Sequence, residues 1–182
     1  MHPLVEADFL RARQQFLRAS EEEREGILKR DEVARDILEF WAQIRGDAVG
    51  DFGSKFRLLR HIDGPEHPFI SRVELVWLIN NYRLARKLVT NPNARRVFLK
   101  MLRRPYNAYE LSRELSLSLS TVQHWAHLMW DHTLTRIYTS PRIRGNVIYF
   151  TLDNARFGVL VYFLYRFIRD QLEREQIEGR RQ

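Results

Sequence analysis

"ELSRELSLSLSTVQHWAHLMW", residues 110–130, decides how the chain is read. It divides into a short helical stretch, a three-residue break "SLS" and a longer helical stretch. Ser118 is a natural N-cap, because its hydroxyl can accept from an otherwise orphaned backbone N–H. In the longer stretch Val122, Ala126 and Met129 recur at i, i+4 and i+7 and make an inner face. Ser120, Thr121, Gln123, His124 and His127 then point outward. That polar row faces water, a metal or a polyanion, and the sequence around it has to choose.

Outward from this stretch, the chain is punctuated on both sides. Asn91 as N-cap and Pro92 at the first helical position predict a helix ending near Arg104, with Val97, Phe98, Met101 and Leu102 inside. Asn107 and Glu110 form a capping box that opens a helix to about Leu115. After about His132 the period changes from 3.6 to 2: "LTRIY" and "VIYFTL" are strand-like, and "TSPRIRGN" between them is a turn. Asp153 or Asn154 caps a last helix to about Gln176, and residues 177–182 form a fraying tail.

From Pro92 to Leu152 this order resembles the winged helix-turn-helix domain of ArsR- and MarR-like transcription regulators. Leu111, Leu115 and the turn plug Leu117 match the hydrophobic positions of that pattern. The resemblance implies a mainly α fold of three helices plus a β-hairpin, with additional N-terminal helices and a long C-terminal one. It implies that residues 119–132 enter the major groove of double-stranded DNA, with Gln123, His124, Ser120, Thr121 and His127 near the bases. Ser118 and Asn107 would hold phosphates, and Arg136, Arg142 and Arg144 would act from the hairpin, whose wing spans 139–146. Two positions depart from the pattern. Ser116 and Thr133 stand where the family often has Gly, so different backbone angles are expected there.

The charge agrees with a polyanionic partner. The 182 residues carry a net charge of +7. Residues 1–66 hold 14 acidic and 11 basic side chains, whereas the rest holds 9 and 19. Between Glu74 and Glu110 lie eight Lys or Arg and no acid. Of these, Arg95, Arg96, Lys100, Arg103 and Arg104 are read as a phosphate-binding field. Chemistry of other kinds is poorly represented. There is no Cys, hence no disulfide framework, thiolate zinc site or Cys nucleophile. No P-loop, GxSxG or dinucleotide fingerprint occurs, so neither an enzyme nor a cofactor is expected. His124 and His127, three apart, offer two ligands, and His132, His61 and His67 are more distant. Without Cys or HExxH no metal site is expected. The N-terminus lacks the pattern of a signal peptide, and the most apolar stretch, "FGVLVYFLYRFI", is too short to cross a bilayer and includes Arg166. The location expected is cytoplasmic or nucleoid-associated, with no membrane partner.

Flanking regions complete the reading. Residues 1–45 read as two amphipathic helices: one over 4–19, and one from the Ser20–Glu23 capping box to about Arg45 along Ile27, Ala34, Ile37, Leu38, Trp41 and Ile44. Residues 46–70, rich in Gly and Pro, read as a linker or irregular loop. The domain then spans 71–176, opened by a Ser71–Glu74 box and a helix to about Val89. In the last helix Phe157, Leu160, Val161, Leu164, Phe167 and Ile168 form a wide apolar stripe, expected at a homodimer interface. The whole reads as a dimeric, sequence-specific DNA-binding regulator, with residues 1–66 left for a protein partner or effector. A winged-helix protein-interaction module and a non-specific DNA-coating protein are the alternatives.

Overall fold

In the computed structural model the described residues are 3–46, 53–142 and 145–182. They form ten helices and one three-stranded antiparallel sheet, a mainly helical fold. The chain divides into two units, residues 1–82 and 83–182.

The first unit contains α1 (Pro3–Arg18), α2 (Glu21–Arg30), α3 (Glu32–Arg45), α4 (Gly53–Asp63) and α5 (Arg72–Asn80). The Ser20–Glu23 and Ser71–Glu74 capping boxes both form. The helix expected from Ser20 to Arg45 is two helices. Asp31 stands between them in extended backbone (φ −84°, ψ 124°); its N–H closes α2 on Ile27 O and its carboxylate caps α3 at Ala34 N–H. His67 Nε2 lies 2.7 Å from the same carboxylate, while His67 Nδ1 accepts from the N–H groups of Phe69 and Ile70. Asp31 is thus tied to the loop before α5. The region expected to be a linker contains α4, and its residues 47–52 lie outside the described residues. Only Ser54 and Leu58 of α4 are buried, so no apolar period announces it. Phe16, Leu28, Ala34, Ile37, Phe40, Trp41 and Ile70 are buried. Arg13 and Glu74 form a buried ion pair, and Arg13 also donates to Phe69 O at 2.9 Å. The expected helix over 71–89 is likewise broken, at Asn81 (φ −119°, ψ 25°), which donates from both backbone and side chain to Trp77 O.

The second unit contains α6 (Tyr82–Thr90, of which Tyr82 falls in the first unit), α7 (Pro92–Met101), β1 (Tyr106–Asn107), α8 (Ala108–Leu115), α9 (Leu119–Asp131), β2 (Thr135–Arg142), β3 (Gly145–Leu152) and α10 (Asn154–Arg180). Helices α7, α8 and α9 pack on one another and against the sheet. Strand order is β1-β3-β2, with Ile137 opposite Phe150 and Tyr138 opposite Tyr149. The two-residue strand β1 pairs Tyr106 with Phe150; it is too short to leave a periodic signal. Val97, Phe98, Met101, Leu111, Val122, Ala126, Met129, Leu134 and Phe150 form the core.

Two expectations about this unit are corrected. Ser116 (φ 53°, ψ 42°) and Thr133 (φ 64°) adopt the left-handed backbone that Gly would favour, and are the non-Gly residues with positive φ among those described. The chain keeps the turn geometry and bears its strain. The stripe assigned to a dimer interface is also buried within one chain: Phe157, Leu160, Val161, Leu164, Phe167 and Ile168 are each at most 5% exposed. Helix α10 runs to Arg180, past the expected end, with a non-helical residue at Phe157. No helix among the described residues is long and apolar enough to cross a membrane.

Candidate nucleic-acid interface

Helix α9 is fixed from both ends. Ser118 caps it by accepting from Thr121 N–H at 3.2 Å, and its hydroxyl also meets those of Thr121 (2.7 Å) and Ser120 (3.2 Å). Leu134 N–H bonds back to Met129 O and Asp153 N–H to Leu134 O, which anchors the helix end to the sheet. Val122, Ala126 and Met129 are fully buried. Ser120, Gln123, His124 and His127 are exposed and Thr121 is half-buried. The polar row is therefore on the surface. Trp125, not read as inner from the sequence, is buried and meets the His124 ring edge-on at 4.8 Å. His127 leans on Phe150 at 5.3 Å, which gives its imidazole a defined place above the sheet.

The cations are arranged differently from the sequence reading. Arg95 is buried, hydrogen-bonded to Val89 O and held by Glu175 through two hydrogen bonds of 3.0 and 3.2 Å. It is a structural arginine and does not belong to a phosphate-binding field. Arg96 donates to Leu115 O at the C-terminal end of α8. Lys100 pairs with Glu114 at 3.0 Å, and Arg104 reaches Glu110 and Glu114 at 3.3 Å while covering the Tyr106 ring at 3.7 Å. The hydrogen bond from Lys100, with the charges of Lys100 and Arg104, holds the Glu114 carboxyl below its usual range. The field is thus partly neutralised by acids from α8. Arg103, Arg113 and Arg136 remain exposed. Arg113 was missed, although the inward Leu111 and Leu115 place it outward on α8. Arg142 pairs with Gly145 in the hairpin register; Arg144 lies outside the described residues.

Asn107 is also reassigned. It is buried, its amide oxygen accepts from Glu110 N–H at 2.8 Å, and the Glu110 carboxylate in return accepts from Asn107 N–H. The residue completes the capping box with its amide oxygen. With Tyr109 (69% exposed), Glu110, Arg113 and Val147 it lines a concavity. Across the hairpin Tyr138 stacks on Tyr149 at 5.2 Å and 6°. His61 and His67, far along the chain from α9, pair with Asp36 and Asp31 in the first unit. Comparison of the chain with known protein families, curated proteins and solved structures finds no match.

Proposed function

We propose that the chain is a sequence-specific, double-stranded DNA-binding transcription regulator of the winged helix-turn-helix type, with α9 as recognition helix and the β2–β3 hairpin as wing. The observation that carries this reading is the exposed row Ser120, Gln123, His124 and His127 on a rigidly capped helix. It belongs to a unit with 18 basic and 8 acidic residues. Gln123 can pair bidentately with adenine, and the hydroxyls can reach phosphate or base edges. Arg103, Arg113 and Arg136 supply affinity that is independent of sequence, through counterion release.

Binding of the full chain to its own promoter duplex and to random duplex, each at two salt concentrations, tests this. Gln123→Ala is expected to cost roughly 1–3 kcal/mol on the preferred site only. Replacing Arg113 and Arg136 by Ala weakens both duplexes alike and lowers the salt slope by about 1 for each phosphate that is no longer neutralised. Absence of binding at low salt rejects the reading. It would then favour a winged-helix protein-interaction module, to which the neutralised Lys100 and Arg104 and the exposed Tyr109, Trp130 and Tyr138 point. A dimer, implied by the resemblance, has to use a surface other than the buried α10 stripe. Leu172 and Ile177 in the last turns of α10 are exposed and could serve.

A further inference from the structure

Helix α4 lies against α3 through a ladder of polar pairs. Gln43 meets Ser54, Glu39 meets Arg57, and Asp36 meets His61. Leu58 is the one apolar side chain of α4 that is fully buried, and Phe56 is 63% exposed. The far end of the ladder differs from the rest. Glu32 and Asp36, one helical turn apart on α3, converge with His61 of α4 so that one ligand atom from each lies within 4.8 Å of the others. Asp36 is 7% exposed, and its Oδ2 stands 2.7 Å from His61 Nε2. Arg57 offsets Glu39, with Asp36 Oδ1 3.7 Å from its Nε. Asp36 is thus shared between Arg57 and His61, and Glu32 brings a second carboxylate to the same imidazole. Glu32 is exposed and makes no ion pair among the described residues.

We infer that Glu32, Asp36 and His61 form a binding site for a zinc-class divalent cation, which bridges α3 and α4. Glu32 and Asp36, the latter shared with Arg57, supply the negative charge that a divalent ion needs. A set of one imidazole nitrogen and two carboxylate oxygens suits zinc, with a fourth position left for water, whereas magnesium and calcium prefer oxygen alone. A carboxylate only accepts hydrogen bonds, so His61 Nε2 carries the proton in its bond to Asp36. Zinc on Nε2 needs the neutral tautomer with its proton on Nδ1, so the proton shifts from Nε2 to Nδ1 and the hydrogen bond to Asp36 gives way to metal–ligand bonds. The site is separate from α9, and its chemistry does not depend on DNA binding.

Calorimetric titration and thermal melting of the full chain with zinc chloride, and separately with magnesium chloride, test the inference. Wild type takes up one zinc ion and its melting temperature rises, with a smaller response to magnesium. Glu32→Gln, at an exposed position that leaves the fold intact, weakens zinc binding at least tenfold, and His61→Ala abolishes it. The double variant His124→Ala/His127→Ala, which removes the exposed histidine pair of α9, retains it. The inference is overturned if zinc does not bind, if Glu32→Gln binds it as wild type does, if the α9 double variant is the one that loses it, or if magnesium stabilises equally.

Discussion

Ser116 and Thr133 each hold a left-handed backbone with an L side chain, which costs on the order of 1 kcal/mol per residue. Both are exposed, so deleting the side chain sacrifices little packing. Ser116→Gly and Thr133→Gly are each expected to stabilise the protein by about 0.5–1 kcal/mol, read as a rise in the urea midpoint at unchanged slope. A fall at either position would mean that its hydroxyl supports the turn. Asn107 and Gln123 separate a structural role from the proposed recognition role. Asn107→Ala removes the α8 cap and should cost about 1 kcal/mol of stability; Gln123→Ala, on the exposed face of α9, should leave stability within about 0.5 kcal/mol. The spacing Asn-x-x-Glu already committed the Asn107 amide oxygen to a cap. The inward set Val122, Ala126 and Met129 was legible, because periodicity reports burial directly.

Among the elements, those with a clear period were legible: α1, the capped helices α7, α8 and α9, and both hairpin strands. Others escaped for identifiable reasons. The apolar stripe runs unbroken from Ile27 to Ile44, and Asp31 interrupts the backbone beneath it without interrupting the pattern. In α4 polar pairs replace the apolar face, so there was no period to read. The Asp31 break is pH-sensitive. Burial works against its charge, but the hydrogen bonds from His67 and the Ala34 N–H outweigh that and hold the carboxyl below its ordinary 3.8. A depressed carboxyl adds stability that is present above its unfolded value and is lost as pH falls through the folded one. Asp31→Asn should therefore lower the urea midpoint more at about pH 7 than in acid, the difference closing as pH falls through the folded value of the carboxyl. Equal loss at both would assign Asp31 to packing and capping alone.

For the whole molecule, the charge shift legible in the sequence coincides closely with a structural division. Residues 1–82 carry 15 acidic and 12 basic side chains, and residues 83–182 carry 8 and 18. The α10 stripe was legible as apolar, but not what covers it, since an apolar helix face looks the same whether its own chain or another covers it. Leu164, at 0% exposure, distinguishes the cases. Leu164→Ala should cost about 2–5 kcal/mol by emptying part of a core, with an unfolding midpoint that does not move with protein concentration. A midpoint that rose with concentration would restore the stripe to an interface between copies.

The stacked Tyr138–Tyr149 pair, two parallel phenol rings 5.2 Å apart on opposite strands of the hairpin, is also an optical antenna. Electronic transitions on rings this close couple to each other, so their circular dichroism depends on their mutual angle. The spectral difference between wild type and Tyr138→Ala isolates that signal from the four tryptophans. It gives the hairpin a built-in readout, with no dye attached, of whether its strands twist when a ligand is taken up.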